Sequence, residues 1–269
     1  MFSTTDIYKG IFMEKITSCQ NTKVKSAVSL KSAKNRHECK RFLAEGIKLI
    51  RELIPAGFNI CMCFVSEKAD LSLLPNGIDR ESVIISSQNV MEKISSLTTP
   101  QDFIAVCDMK KDCQSDSCGD FILALDRIQD PANIGAVMRS AEAFGVKDIV
   151  LSRDCCDIYS PKVLRAAMGS AFRINAKTAD LAKFLSEKRR QGYDIIGAGL
   201  DKSFKTVDKL HESKRKVLII GNEGSGISEE ICKICSFGIY IPMYGQNESL
   251  NAAVAASIIM WENIRQNNE

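Results

Sequence analysis

The stretch that decides the fold is LIIGNEGSGIS, residues 218–228, in which an apolar strand runs into a loop with three glycines. A glycine-rich loop after a strand usually binds phosphate through backbone N–H groups at the start of a helix. This loop has no Lys-Ser or Lys-Thr pair to reach a phosphate and a metal ion, and Glu223 would repel an anion. We therefore expect its ligand to be neutral or cationic.

Around this loop, apolar runs alternate with helical stretches. The apolar runs are FILAL (121–125), DIVLS (148–152), YDIIGAG (193–199), KVLII (216–220) and GIYIP (238–242). Buried strands that alternate with helices predict an α/β fold with a mostly parallel sheet covered on both faces. Ligands of such sheets usually bind at the loops that follow the strands.

The polar, turn-rich segment 108–119 predicts a linker between two domains, one over 14–107 and one over 120–269. In the first domain, the basic stretch 38–53 predicts a helix and residues 60–65 predict a short strand, which together indicate a small α/β unit. Residues 1–13 are expected to be a flexible extension, with Met13 as an alternative start.

The net charge of the 269-residue chain is only +3, but its basic residues are concentrated near the N-terminus, with ten Lys or Arg against four Glu over 14–53. Such a run indicates either a nucleic-acid surface or an ordinary solvated face. No secretory signal is visible, and the apolar run 252–261 is too short to span a bilayer. We expect a soluble, cytoplasmic protein with no membrane partner.

The eleven cysteines have no framework spacing, which is typical of a reduced intracellular protein. Cys232 and Cys235 form a single C-x-x-C pair. A structural zinc site needs about four ligands, and no second pair or histidine accompanies this one. We therefore predict no metal, and we expect both cysteines to pack on a helix that follows Ser228.

A second informative stretch is DRIQDPANIGAVMRSAEAFGV, residues 126–146. Asn133 is expected to cap a helix that ends at Gly145, with a buried stripe at positions 134, 137, 138, 141 and 144. A glycine inside a helix costs about 1 kcal/mol relative to alanine, so Gly135 suggests a close approach. Helical side chains lean toward the N-terminus. Arg139 is therefore expected to extend over Gly135 toward Asn133, although an ordinary cap and a surface arginine would explain this stretch alone.

A third stretch, IPMYGQNESLNAAVAASIIMWENI (241–264), combines a polar loop with an alanine-rich helix. Alone it is typical of a core helix. Together, the three stretches resemble the SpoU-type (TrmH-like) RNA ribose methyltransferases of the SPOUT superfamily. The N-x-G-x-x-x-R motif is present at Asn133, Gly135 and Arg139, the G-N-E-G-x-G-I-S loop at 221–228, and the I-P-M and S-L-N motifs at 241–243 and 249–251.

This resemblance covers residues 121 to the C-terminus and implies a parallel-sheet domain with a deep trefoil knot. It also implies that the knot loops hold S-adenosylmethionine, whose sulfonium cation would tolerate a nearby carboxylate. The residues expected to bind this methyl donor are Gly199, Leu200, Gly221, Gly226, Ile241, Met243 and Leu250. The basic N-terminal part is similar to the small, ribosomal-protein-like substrate-binding domain found upstream in this family.

The implied reaction is methyl transfer to a ribose 2′-hydroxyl of RNA, without a metal. In the family the arginine that matches Arg139 is central, either as the base or as the group that orients a phosphate and the hydroxyl. Its expected polar partners are Asn133, Glu223, Ser249 and Asn251, and Arg165 is a candidate phosphate contact. The resemblance further implies a homodimer, for which the C-terminal helix (251–266) is a reasonable contact. Ribosomal RNA is preferred over transfer RNA because the upstream domain resembles those of ribosomal-RNA enzymes.

Two other classes of protein compete with this interpretation. Gly197 and Gly199 after a strand begin a dinucleotide-binding fingerprint, but the third glycine is absent. A knotted domain that binds RNA without turnover is a more serious alternative. The presence of Asn133, Arg139, Glu223 and Asn251 favours the enzyme.

Overall fold

The computed structural model describes residues 13–110, 118–201, 203–246 and 249–267. These residues form two compact units. The first takes those before position 112 together with Tyr159–Arg165, and the second takes the rest. The predicted extension, apart from Met13, and the central part of the predicted linker lie outside the described residues.

The first unit is built on a mixed five-stranded sheet in the order β1-β4-β3-β5-β2. Its strands are β1 (Glu14–Ile16), β2 (Arg41–Glu45), β3 (Ile60–Ser66), β4 (Val83–Ser86) and β5 (Phe103–Asp108). Its helices are α1 (Thr22–Ser29), α2 (Ala33–Cys39), α3 (Ile47–Leu53) and α4 (Gln88–Ile94), with short 3-10 turns at Leu71–Leu73 and Arg80–Ser82. Strand β5 is antiparallel to both β2 and β3, whereas β4 is parallel to β1 and β3.

The prediction of one helix over 38–53 is wrong, because β2 interrupts that stretch. Phe42, Leu43 and Ala44 are all buried in the sheet, where β2 pairs with β5. Lys40 at φ 54° ends α2 in a left-handed turn, and Gly46 at φ 101° leads from β2 into α3. The predicted strand over 60–65 is confirmed as β3.

The second unit contains seven strands and six helices among its described residues. The strands are β6 (Phe121–Leu125), β7 (Asp148–Ser152), β8 (Asn175–Ala179), β9 (Asp194–Ala198), β10 (Lys205–Thr206), β11 (Lys216–Ile220) and β12 (Phe237–Tyr240). The helices are α5 (Pro131–Ala143), α6 (Pro161–Ala167), whose first residues group with the first unit, α7 (Ser170–Arg173), α8 (Leu181–Arg190), α9 (Glu229–Cys232) and α10 (Ala252–Asn267). A 3-10 segment spans Val207–Glu212.

These strands form one sheet in the order β10-β12-β9-β11-β6-β7-β8, and every pairing in it is parallel. The prediction of an α/β fold with a parallel sheet is confirmed, and all five predicted strands are present within two residues of their expected ends. The two strands that were not predicted, β8 and β10, lie at the edges of the sheet.

The helices cover both faces of this sheet. On one face, Leu181 and Leu185 of α8 pack with Val217 and Ile219 of β11. On the other face, α10 lies against β11, where Lys216 donates a 2.9 Å hydrogen bond from Nζ to Oδ1 of Asn263. Helix α10 also packs along α5, so these two helices share a face and α8 occupies the opposite one.

The last of these strands along the chain is inserted between two earlier ones, since β12 pairs with both β9 and β10. The ring of Phe204 passes so close to β12 that a Cβ on Gly238 would lie 2.6 Å from Cε2 of that ring. Gly199 is also adjacent to this ring, because a Cβ at that position would lie 2.8 Å from the same atom. A side chain larger than hydrogen at either glycine would displace the ring of Phe204.

Across the described ranges, no helix is both long enough and apolar enough to cross a membrane.

Candidate active site

Three of the predicted site residues meet at one place, which we call the polar junction (Asn133, Glu223 and Asn251). The Asn133 amide donates from Nδ2 to Oε1 of Glu223, and its Oδ1 accepts a 2.9 Å hydrogen bond from Nδ2 of Asn251. Asn133 is buried, with 7% of its surface exposed, although both partners are exposed. Its amide therefore joins a helix, the glycine-rich loop and the start of α10.

The start of α5 differs from the sequence-based expectation. Asp130 is the cap, with its carboxylate accepting from the backbone N–H of Ala132 at 2.9 Å, and Pro131 takes the first helical position. Asn133 is therefore inside the first turn and its side chain is free of capping. Because a proline lacks the N–H that is unsatisfied at a helix start, Asp-Pro is a better start signal than Asn133. The predicted buried stripe and the glycine after the helix are present, although Phe144 is only half-buried.

The glycine-rich loop folds back on itself after β11. Asn222 and Gly226 exchange backbone hydrogen bonds of 3.0 and 2.9 Å. The Asn222 side chain accepts from the backbone of Gly224 and Ser225, which closes the turn. A Cβ on Gly221 would lie 2.5 Å from the carbonyl oxygen of Gly226, so glycine is required there by the close return of the chain. The resulting loop presents Glu223 toward the N-terminal end of α5.

Two further residues, which were not predicted from the sequence, hold this loop. Asp126 is 3% exposed and accepts a 2.8 Å hydrogen bond from the backbone N–H of Ser228. Arg127, in the left-handed conformation at φ 58°, donates from Nη2 to the carbonyl of Gly226 at 3.2 Å. Their position in the sequence could have identified them, because charged residues directly after a buried parallel strand lie at the edge of the sheet where ligands bind.

A cavity of about 650 Å³ opens beside this loop, between the segments that follow β9, β11 and β12. All seven predicted donor-binding residues line it: Gly199, Leu200, Gly221, Gly226, Ile241, Met243 and Leu250. Glu223 and Ser249 line it as well. Glu223 is the one charged side chain among the described lining residues, so the cavity carries negative charge and no lysine or arginine. This agrees with the expectation of a neutral or cationic ligand.

The expected path of Arg139 over Gly135 is wrong. A Cβ at position 135 would lie 2.8 Å from both the backbone carbon of Ala166 and the nitrogen of Ala167. The bare face of Gly135 is therefore filled by α6. Arg139 is exposed, and within the described residues it makes no hydrogen bond or ion pair. The structure thus brings together Asn133, Glu223 and Asn251 and leaves Arg139 reaching into solvent from the same helix.

The remaining predicted residues have varied surroundings. Ser249 and Leu250 are exposed at the cavity, and Asn251 caps α10 by accepting from the N–H of Ala253 at 2.9 Å. Arg165 is half-buried in α6, where its Nη1 atom lacks a hydrogen-bond partner among the described residues. Its role as a phosphate contact stays a prediction.

The C-x-x-C pair does not lie on one helix. Helix α9 begins after Ser228 as predicted but ends at Cys232, so Cys235 lies in the turn that follows. All cysteines in the described ranges are free thiols. Within the same ranges, no group of three His, Cys, Asp or Glu side chains is placed to hold a metal ion.

Comparison with known proteins relates both parts of the chain to one class of enzyme. The SpoU rRNA Methylase family matches residues 120–261, which is more than half of the chain, and the MRM3-like substrate binding domain matches residues 21–105. The fold and the motif-bearing loops are thus those of an RNA methylase. The chain belongs to the SpoU rRNA Methylase family, and the predicted resemblance is confirmed.

Similar proteins of known sequence span nearly the same length. The 23S rRNA (guanosine(2553)-2'-O)-methyltransferase RlmP of Bacillus subtilis (strain 168) is 31% identical over 250 residues, covering 93% of this chain and 98% of the relative. The 23S rRNA (uridine(2479)-2'-O)-methyltransferase of Streptomyces viridochromogenes is 28% identical over 240 residues, covering 84% and 83%.

Similar solved structures include two determined with S-adenosylmethionine (AdoMet). An AdoMet-bound rRNA methyltransferase from Sinorhizobium meliloti has a TM-score of 0.83 at 28% identity, covering 94% of this chain and 98% of that one. The SpoU methyltransferase AviRb from Streptomyces viridochromogenes, in complex with AdoMet, has a TM-score of 0.82 at 25% identity, covering 93% and 99%.

Proposed function

We propose that this protein transfers a methyl group from S-adenosylmethionine to a ribose 2′-hydroxyl of RNA, with ribosomal RNA as the preferred substrate. The observation that carries this proposal is the polar junction at the mouth of a negatively charged cavity. Asn133, Glu223 and Asn251 are fixed to one another there by hydrogen bonds. Residues 14–107 would bind RNA, residues 120–269 would carry the reaction, and 108–119 would link them, in the cytoplasm.

The cavity fits S-adenosylmethionine in size and in charge. Its volume of about 650 Å³ is within the range typical of small-molecule sites, and its walls are mostly apolar side chains and backbone. A dinucleotide would bring phosphates to a site whose described lining has a carboxylate and no cation, which disfavours the dinucleotide alternative. S-adenosylmethionine supplies a methyl group bonded to a positively charged sulfur. Gly199, Leu200, Gly221, Gly226, Ile241, Met243 and Leu250 are the residues that would hold it.

On the acceptor side, Asn133 fixes the orientation of Glu223, while Asn251 fixes Asn133. Ser249 is exposed beside them and would offer a hydroxyl to the ribose. Arg139 projects from the same helix without an intramolecular partner among the described residues. A guanidinium remains protonated under ordinary conditions. We therefore assign to Arg139 the binding of a substrate phosphate, whose oxygen can accept the proton that the 2′-hydroxyl loses.

Two features support ribosomal RNA as the substrate class. The N-terminal part matches a substrate-binding domain, and relatives along nearly the full length are named as 23S rRNA methyltransferases. Transfer RNA is the alternative substrate, and a knotted protein that binds RNA without turnover is the alternative function.

We also propose that the C-terminal segment threads a deep trefoil knot. The support is the insertion of β12 between β9 and β10, and the passage of the Phe204 segment across Gly238.

A homodimer is the proposed assembly, with contacts through α10. Val254, Ile258 and Trp261 follow one another at helical spacing on this helix, and the first and last are 47% and 53% exposed. Trp261 also contacts Phe144 at the end of α5, with their tilted rings 6.0 Å apart between centroids, which extends the apolar surface toward the neighbouring helix. Large exposed apolar residues grouped in this way commonly mark a protein interface.

The decisive experiment is to incubate the purified protein with methyl-labelled S-adenosylmethionine and total RNA from cells that lack this gene. Alkali cannot cleave next to a methylated 2′-oxygen, so label in an alkali-resistant dinucleotide would establish ribose methylation. The size of the labelled RNA would separate ribosomal from transfer RNA. Label in mononucleotides would contradict the proposed acceptor atom. Arg139→Ala should abolish transfer and retain donor binding, and full activity in that variant would remove Arg139 from the mechanism.

A further inference from the structure

The loop that follows β12 holds an aromatic ring almost entirely in solvent. Tyr244 is 98% exposed. A Cβ on the next residue, Gly245, would meet no described atom within 4 Å apart from those of its chain neighbours, so this part of the loop has open space beside it. A tyrosine ring is a large apolar surface, and its removal from water is favourable. The ring of Tyr244 therefore offers its full surface to a ligand.

This ring lies beside the cavity. Met243 precedes it directly and lines the cavity, and consecutive Cα atoms are only about 3.8 Å apart. Two further apolar side chains in the cavity lining, Leu200 and Leu250, are 59% and 36% exposed. The loops after β9 and β12 thus gather exposed apolar surface at the mouth of the cavity. Exposed apolar surface that is grouped in this way commonly marks a binding site.

The chemistry of the proposed reaction determines which part of an RNA meets this surface. The reacting hydroxyl is attached to C2′ of the ribose, and the base is attached to the neighbouring C1′. When the hydroxyl reaches a methyl donor in the cavity, the base of the same nucleotide must therefore lie at the cavity mouth. Glu223 is the one charged side chain in the described lining, so the mouth favours an uncharged base over a phosphate.

We propose that Tyr244 is a substrate-binding residue whose ring stacks on the base of the nucleotide that is methylated. This inference rests on the proposed function. Bases of unpaired RNA are commonly bound by stacking on aromatic side chains. Every base has a π face, so this contact positions the nucleotide without selecting one base over another. The phosphate would bind to Arg139 and the base to Tyr244, which together would orient the ribose.

The test compares substitutions at Tyr244 in the full chain, with ribosomal RNA from cells that lack this gene as the probe. Tyr244→Phe and Tyr244→Trp keep an aromatic face, Tyr244→Leu keeps an apolar side chain without one, and Tyr244→Ala removes both. Gln246→Ala is the matched control, because Gln246 is exposed in the same loop. The kcat/KM for methyl transfer to RNA is measured at several salt concentrations. Calorimetry gives the affinity for S-adenosylmethionine, and sedimentation gives the self-association.

Stacking predicts that Tyr244→Ala lowers kcat/KM for RNA roughly 5- to 150-fold and that Tyr244→Leu behaves similarly. Tyr244→Phe, Tyr244→Trp and Gln246→Ala should retain the wild-type value. Donor affinity should stay unchanged in every variant, because Tyr244 is outside the described cavity lining. The slope of log kcat/KM against log salt should also stay unchanged, because a stacked ring neutralises no phosphate.

The proposal is overturned if Tyr244→Ala is as active as the wild type, or if Tyr244→Leu is as active as Tyr244→Phe, since an aromatic face would then be unnecessary. A loss of self-association in parallel with activity would also overturn it, because the ring would then cover a second copy of the chain. A changed salt slope would point to a phosphate contact instead of a base. Failure of the proposed function is distinct, since the wild type itself would then transfer no methyl group to RNA.

Discussion

Asn133 and Gly135 are two residues apart on α5, yet they connect the helix to its neighbours in opposite ways. Asn133 acts through a polar side chain that bonds Glu223 and Asn251. Gly135 acts through the absence of a side chain, because Ala166 and Ala167 fill the space that a Cβ would need. The first contact organises the site, whereas the second allows two helices to approach.

This difference separates what the fold requires from what the reaction requires. The hydrogen bonds of Asn133 to two exposed partners contribute only about 1–2 kcal/mol to the free energy of unfolding, but they set the position of a carboxylate at the cavity. A steric contact in the interior contributes mainly to folding. The N-x-G-x-x-x-R motif therefore mixes one structural residue with two residues proposed to act on substrate.

The largest effect is expected from Gly135→Ala. Helix propensity alone would make alanine more stable by about 1 kcal/mol, but the clash with Ala166 should reverse the sign and destabilise the fold by about 3 kcal/mol. Urea denaturation measures this change. Ala136→Gly, at the exposed neighbouring position, is the control and should cost about 1 kcal/mol. A Gly135→Ala protein as stable as the wild type would refute the packing explanation.

Asn133→Ala should reduce methyl transfer more than it reduces stability. It leaves two polar groups without their partner at a cost of about 1–2 kcal/mol, but displacement of Glu223 should reduce methyl transfer about 100-fold. Ser140→Ala is the matched control, since Ser140 accepts a 2.7 Å hydrogen bond from Ser257 between the same two helices, away from the junction. That control should lose similar stability and retain transfer. Equal activity of the Asn133→Ala and Ser140→Ala proteins would show that the hydrogen bonds of Asn133 matter no more for methyl transfer than another bond between these helices.

A smaller effect, on the pH dependence of stability, is expected near the C-terminal end of α10. There, buried Lys216 donates to Asn263 and to the carbonyl of Leu210. Burial lowers the pKa of Lys216 below its usual 10.5, with Asp194 opposing the shift. Between the lowered pKa and 10.5 the unfolded state binds more protons, so this lysine makes stability rise with pH. Buried thiols such as Cys63, whose pKa is raised to about 12, act in the opposite direction.

The measurement is therefore a difference between proteins. The free energy of unfolding of the wild type minus that of Lys216→Met should increase from neutral pH toward pH 10.5. Lys205→Met removes an exposed lysine of the same unit, so only a pH-dependent change that this variant lacks is assigned to the burial of Lys216. A flat curve for Lys216→Met would show that the buried ammonium is not perturbed.

The smallest effect is expected on RNA affinity in the first unit. The basic residues there also divide into those that stabilise the fold and those that are exposed and could contact RNA. Arg36 is 3% exposed and donates to the carbonyls of Leu30 and Lys31, so it belongs to the fold. Lys25 and Lys40 are exposed, and the described residues offer them no ion-pair partner. Lys25→Ala with Lys40→Ala should weaken RNA binding and lower the slope of log affinity against log salt by roughly 1–2.

Lys15→Ala with Lys23→Ala is the matched control for that pair, because these lysines are paired with Glu67 and Glu14 at 3.0 and 2.5 Å. Their loss removes less free positive charge and should change the slope less. If both pairs give the same slope, the RNA surface does not follow the unpaired lysines.

Much of the second unit could be predicted from the sequence because its central strands are continuous apolar runs. Strand β8 was missed since residues 175–179 are polar and half-exposed at the edge of the sheet, and β10 is only two residues long. In the first unit, β2 was hidden inside a basic stretch with good helix formers. Its pairing with β5, some sixty residues later, overrides that local preference.

The site was predicted to a similar extent. The motifs placed Asn133, Glu223 and Asn251 together correctly, but they could not reveal which residue caps α5 or what fills the space at Gly135. The second point depends on Ala166, which is distant in the sequence and adjacent in the fold. Asp126 and Arg127 were missed for a related reason, because their partners are backbone atoms of the loop at 226–228, and such contacts leave no pattern in the sequence.

The insertion of β12 also constrains how the chain can be made. During synthesis, β9 and β10 emerge from the ribosome well before residues 237–240, and in the finished sheet β10 pairs with β12. Until residues 237–240 have been synthesised, one edge of β9 is unpaired and β10 has no strand with which to pair. A nascent chain stalled before position 237 would expose an apolar strand edge, which is prone to aggregation. Premature termination ahead of β12 should therefore damage solubility as well as activity.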